Sequence, residues 1–272
     1  MCLSLALCAL APAQKGEPAG NHRMKNVEHL KDFQVIELRR YTIKPGEREH
    51  FAQYFEAYFP EAFQQLGAIA VGQFSERNNP LEFTWMRGFH DMDDRAKINA
   101  AFYYGPLWKE HKATLNPMMT DSDNVLLLRP LSPERTVMIL PAVDPVAEPA
   151  GATGVVVAEI FSVEPDSINA FSQQAESTFA AYRDAGVREV GVLVTLEAPN
   201  NFPQLPVRTD GPYLVWLGIV ENDKILEARF NPLTAQSQKT LFATGLLRSE
   251  PEVVILDPAP RSRLRWISDA TK

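Results

Sequence analysis

Glu37, Arg39 and Tyr41 stand at alternate positions of a β-prone run, so their side chains share one face of a strand. Ile36 and Leu38 point the other way. A guanidinium fork suits an anionic or carbonyl oxygen. Arg39 and Arg87 are therefore expected to converge on such an oxygen of a ligand, with Tyr41 and Trp85 as walls. The competing expectation is that Glu37 and the arginines pair across neighbouring strands and only hold the sheet. His90 directly follows the strand that carries Arg87, where a general base would sit. It equally suits a surface turn beside Asp91. Tyr103, Tyr104 and Trp108 surround Gly105-Pro106, as a pocket wall or as a core cluster around a kink. His111 lies near Trp108, either lining the same pocket or packing its ring on the helix. The candidate ligand-binding set is thus Arg39, Tyr41, Trp85, Arg87, His90, Tyr104 and Trp108.

Other chemistries find no support in the spacing. His22, His29 and His50 are scattered without a metal-ligand pattern, so no metal site and no cofactor are expected. Cys2 and Cys8 are the only cysteines, which removes thiol chemistry and disulfides from the folded body. No phosphate-binding glycine loop, nucleophile elbow or paired carboxylates stand out.

These residues must be positioned by elements that the periodicity outlines. Residues 33–43 form a strand ended by Lys44-Pro45-Gly46. Phe51, Phe55, Phe59, Phe63 and Leu66 fall at helical spacing, and Gly67 is placed to cap that helix. Strands at 68–74 and 81–89 follow. Asp91 is set to N-cap a second helix, interrupted at Gly105-Pro106, and residues 125–128 give a fourth strand. The order β-α-β-β-α-β is ferredoxin-like.

The order then repeats. Tyr41-Thr42-Ile43-Lys44-Pro45 matches Phe161-Ser162-Val163-Glu164-Pro165, 120 residues on, and Phe51 and Phe59 meet Phe171 and Phe179. Gly67 and Gly72 correspond to Gly186 and Gly191 after one deletion, and Trp85 to Trp216. A period this long means duplicated domains. A four-stranded sheet with both helices on one side leaves its other face bare, and a second copy can cover it. The fold class read from this is α+β: two tandem ferredoxin-like units packed sheet to sheet as an intramolecular dimeric α/β barrel.

The first copy resembles the NIPSNAP family of the dimeric α/β-barrel superfamily. The resembling residues run from Ile36 to Gly46, through the aromatic helix and Gly67-Ala68. They continue with Trp85-Met86-Arg87, Asp94-Arg95, Gly105-Pro106-Leu107-Trp108 and Leu127 to Leu131. In the second copy Val157 and Glu159 replace Glu37 and Arg39, and Leu217 or Gly218 stands where Arg87 would be. The resemblance implies a protein whose biochemical function is unsettled; the duplicated barrel is expected to hold a small apolar or carbonyl-bearing ligand or to meet a protein partner. The long loop from Glu197 to Pro212 is the candidate partner surface. The wider superfamily implies an alternative, a cofactor-independent monooxygenase or isomerase. Fold alone does not choose between them.

Bulk properties narrow the partners. The 272 residues carry a net charge of -7, with 45% hydrophobic and 22% charged residues. That is a globular balance without the basic footprint nucleic acid needs. Arg261, Arg263 and Arg265 form the most basic stretch and are read as a solvated tail. No apolar run is long enough for a transmembrane helix. The chain is expected to be a monomer, as a pseudo-dimer, or to associate further into a homo-oligomer.

Cys2 to Leu10 is almost uninterruptedly apolar and is followed by Ala11-Pro12-Ala13, a small-x-small cleavage pattern. The expected boundaries are a signal peptide over 1–13, a linker over 14–32, the first unit over 33–131, a Pro/Ala-rich connector over 132–153, the second unit over 154–260 and a tail over 261–272. A secreted or periplasmic location follows; translation from Met24 would make the protein cytoplasmic.

Overall fold

The alternation of apolar side chains that marks strands, and the 3.6-residue spacing that marks helices, resolve into two copies of one pattern. The computed structural model describes residues 28–267. The expected signal peptide and the alternative start at Met24 lie outside the described residues. A two-residue strand β1 (Glu28–His29) leads into the first unit: β2 (Val35–Ile43), α1 (Arg48–Tyr58), α2 (Pro60–Gln65), β3 (Ile69–Glu76), β4 (Glu82–Phe89), α3 (Met92–Tyr103), α4 (Pro106–Leu115) and β5 (Met119–Pro130). After β6 (Met138–Ile139) the second unit follows: β7 (Val155–Ser162), α5 (Ile168–Asp184), β8 (Arg188–Thr195), β9 (Tyr213–Val220), α6 (Asp223–Ile225), α7 (Asn231–Phe242) and β10 (Glu252–Pro258).

The first helix differs from the single element read in the sequence. Pro60 has no N–H to continue the ladder, so the helix divides into α1 and α2 with Pro60 opening the second. Gly67 then takes a φ of 101°, the left-handed conformation that ends it. Asp91 caps α3 by accepting from the Asp94 N–H at 2.8 Å.

Eight strands close a barrel in the order β10-β3-β4-β2-β5-β8-β9-β7. Each unit contributes four neighbouring strands, and antiparallel pairing at the seams β5–β8 and β10–β3 joins them. Closure leaves no sheet edge exposed in the barrel. The repeat extends to defects in the ladder: the register shifts between Ala70 and Gly72 and again between Glu189 and Gly191. Arg40 reaches across a seam to bond both Glu76 and Glu252.

The inward side chains fill the barrel. Ile36, Leu38, Met86 and Leu128 of the first unit pack with Val156, Ile160, Val215 and Leu217 of the second. Val137, Ile139 and Leu264 pack into the same core, so the stretch between the units and the C-terminal segment are both structural. The solvated tail expected around Arg261 is therefore corrected. Arg261 bonds Glu56 and Glu61, Arg263 donates to the Leu140 carbonyl, and Arg265 is buried against Glu148. Buried Ser262 and Leu264 between them leave the arginines lying over apolar surface with their heads paired. Each unit has a second core between the sheet and its helices. No helix among the described residues is long and apolar enough to cross a membrane.

Candidate functional site

Because β2 alternates, its outward side chains face α1–α4 rather than the barrel axis. They are Glu37, Arg39 and Tyr41, paired in register with Arg87, Trp85 and Phe83 of β4. Glu37 is the centre of a buried charge network. Its carboxylate accepts from Arg39 Nη1 at 2.9 Å, Arg87 Nε at 2.7 Å and Arg95 Nε at 2.7 Å. None of the four side chains is more than 1% exposed. Burial pushes the Glu37 carboxyl up, but Arg87, Arg39 and Arg95 outweigh it and hold it well below the usual carboxylate range. Arg39 also donates from Nε to the Tyr41 hydroxyl at 2.7 Å. Burial disfavours its charge, and Tyr41 and Glu37 more than restore it.

Beside this network lies a cavity of about 560 Å³, within the range of small-molecule sites. Arg39 and Trp85 form its buried wall, with Phe55, Phe59 and Phe63 from the first helices. Tyr103, Tyr104 and Trp108 line it around the helix break at Gly105-Pro106. Its rim is polar, with Thr120, Asp121, Ser122 and Asp123 at the start of β5. The chemistry on offer is an apolar, aromatic slot with a guanidinium and a phenol at the deep end.

The second unit completes this site. Phe202, Gln204 and Leu205, in the loop between β8 and β9, line the same cavity. Arg95 Nη1 donates to Asn200 and Asn201 at 3.0 and 2.8 Å, and Asn201 donates to the Met92 carbonyl. Phe202 packs against Tyr103 and Tyr104 with ring centroids 6.0 Å apart in each pair. This part of the loop expected to meet a partner is thus committed to the first unit. The β8–β5 seam brings it there, which no local pattern discloses.

Of the seven residues singled out in the sequence, Arg39, Tyr41, Trp85, Tyr104 and Trp108 come together around the cavity. Arg87 sits apart from its lining, with its guanidinium 5.0 Å from the Trp85 ring and 4.9 Å from that of Phe63. It pairs with Glu37 across the strands, as the competing expectation had it. His90 is exposed, stacks on Phe33 at 4.3 Å and meets the Asp32 carbonyl at 2.9 Å. It is a turn residue outside the site, since the chain leaves the sheet there. His111 is buried outside the cavity lining, bonded to Tyr54 at 2.7 Å and stacked on Tyr58. Sequence reasoning did not place Arg95 in the site. Arg95 lies on the buried face of α3, four residues before buried Asn99, and that spacing was the available signal. Among the described residues no group of three or more His, Cys, Asp or Glu side chains could hold a metal ion.

The NIPSNAP family model matches residues 36–133, the stretch that carries this network and most of the cavity. No curated protein matches the chain. Among solved structures, a candidate monooxygenase from Lactobacillus acidophilus NCFM aligns over 83% of this chain and 94% of its own, at 14% identity and a TM-score of 0.53. An anthrone oxidase-like protein aligns over 90% of this chain and 100% of its own, at 14% identity and a TM-score of 0.56. Those two likenesses are of fold: both are similar across the whole barrel. A NIPSNAP family protein with unknown function from Agrobacterium tumefaciens str. C58 aligns over 38% of this chain and 94% of its own, at 24% identity and a TM-score of 0.34. The match to the NIPSNAP family model thus falls on the first unit of a closed eight-stranded barrel, which the second half of the same chain completes.

Proposed function

We propose that the protein binds a small, largely apolar ligand with a carbonyl or acidic oxygen in the first-unit cavity, with Arg39 receiving that oxygen. The carrying observation is the cavity of about 560 Å³ whose buried end presents Arg39 and Tyr41 in an otherwise aromatic wall. An apolar slot with few convergent polar groups is the usual make-up of a ligand site. The second unit closes the barrel and supplies Phe202 as part of the wall. Turnover is the second reading, as a cofactor-independent monooxygenase or isomerase. It is favoured by the Tyr41 hydroxyl, which accepts from Arg39 Nε at 2.7 Å and leaves its own proton for a bound oxygen.

The same chain is proposed to act outside the cytoplasm, exported by residues 1–13, and to work as a monomer whose two units replace a dimer. Native mass spectrometry on protein purified from its own source tests these points together. Extra mass lost on denaturation identifies the ligand class, the polypeptide mass reports cleavage after Ala13, and the native mass reports the oligomer. A bare chain that also shows no tryptophan fluorescence response to a panel of aromatic carbonyl compounds and acids sinks the ligand reading.

A further inference from the structure

The wall of the cavity is not electrically balanced. Arg39, Arg87 and Arg95 converge on Glu37, the one carboxylate they pair with among the described residues, and all four side chains are at most 1% exposed. Arginine stays protonated in proteins, so three cations face one anion and two positive charges are left over. Burying uncompensated charge is expensive, and the missing counter-charge must come from somewhere. The donors show the same surplus. Arg87 Nη1 and Nη2 and Arg95 Nη2 are buried with no hydrogen-bond partner among the described residues. Arg39 uses Nε on Tyr41 and Nη1 on Glu37, which leaves Nη2 for the cavity it lines. A local cationic excess runs against the chain as a whole, whose net charge is -7.

We propose that the ligand of this cavity is an organic anion, its acid group docked on Arg39 at the buried end and its apolar body against Trp85, Phe59 and Phe63. The proposal rests on the ligand-binding reading above and commits it to one charge class. Orientation follows from the rim. Asp121 and Asp123 are exposed at the mouth and repel an acid group placed there, so the charged head enters first. The anion supplies one of the missing negative charges at the position where Arg39 has a free donor. A charged hydrogen bond to a buried guanidinium is stronger than its neutral counterpart, which gives the selectivity.

The test is a matched pair of probes on the full chain, followed by quenching of tryptophan fluorescence, since Trp85 and Trp108 line the cavity. The probes are 2-naphthoate and its neutral counterpart 2-naphthamide, which keeps the ring system and the carbonyl. The proposal requires naphthoate to bind at least about tenfold tighter than naphthamide, a difference of about 1.4 kcal/mol. Arg39→Gln should bring naphthoate down to the affinity of naphthamide. Equal binding of the two probes by the wild-type chain overturns the anion assignment and leaves the cavity reading intact. Binding of neither probe overturns both. The wild-type comparison stands even where Arg39→Gln fails to fold.

Discussion

The outer faces of the two sheets are the same surface built twice, with different electrostatics. Register makes the equivalence concrete: Glu37 pairs with Arg87 and Arg39 with Trp85, while Val157 pairs with Gly218 and Glu159 with Trp216. The helix positions match as well, since Phe63 accepts from the Ala68 N–H just as Tyr182 accepts from the Val187 N–H. In the first unit a carboxylate holds three guanidiniums beside a cavity. In the second, Glu159 stands where Arg39 would be, with the Tyr182 hydroxyl at 3.1 Å and its Oε2 without a partner among the described residues. Trp216 is packed by Phe179, Tyr182 and Phe230, with Tyr182 and Phe230 5.0 Å apart. One copy keeps a cavity beside a charged network; the other spends the same positions on packing. Duplication within one chain permits this, because the barrel needs both sheets and a site needs only one.

Removing the centre of the first network is expected to have the largest effect. Glu37→Ala strands three buried cations and should cost about 3–5 kcal/mol in urea-induced unfolding. A loss below about 1 kcal/mol would mean that the arginines find other partners. The second unit should refuse the first unit's residue. A Cβ at Gly218 would lie 2.3 Å from the Trp216 ring, so Gly218→Ala is expected to cost about 1–3 kcal/mol and Gly218→Arg more. Retained stability in Gly218→Arg would show that the second face can be converted into a copy of the first.

The pH dependence of the two carboxyls should have opposite sign. Burial pushes the Glu159 carboxyl up to about 8, with the Tyr182 hydrogen bond opposing it weakly. Between its unfolded value near 4.5 and about 8, the folded state holds a proton that the unfolded chain has released. Its contribution to stability is therefore present below that window and falls as pH rises through it, by at most about 1.4 kcal/mol per pH unit. Glu159→Gln should flatten the slope, as read by unfolding midpoints from pH 5 to 9. Glu37 acts the other way: its folded value is depressed, so its contribution is full above the unfolded value and is lost as pH falls into the acid range. Last and smallest, His90→Ala should leave both stability and naphthoate binding nearly unchanged, within about 0.5 kcal/mol, because the ring is exposed and outside the cavity. A large effect on binding would put His90 back in the site.

Much of the architecture was legible in the chain itself. The aromatic repeat from Phe51 to Phe63, the cap at Asp91 and the break at Gly105-Pro106 all act locally, through propensity and hydrogen bonding. The match of Tyr41–Pro45 to Phe161–Pro165 carried the duplication, and with it the expectation of a barrel. The site was only partly legible. Alternation put Arg39 and Tyr41 on one face, and the turn at Gly105 gathered Tyr104 and Trp108. Nothing local distinguished Arg87, which turns to Glu37, from Arg39, which meets the cavity.

What the sequence by itself determined, then, is the β-α-β-β-α-β order, its repetition and the side of β2 on which the polar residues lie, since these follow from periods of two and 3.6 residues. What only the tertiary structure decided is the balance of charge on that side. Arg95 arrives from a helix 58 residues away from Glu37, and the loop carrying Asn200, Asn201 and Phe202 from the other unit. Barrel closure places them, and Coulomb energy depends on distance in space rather than on separation along the chain.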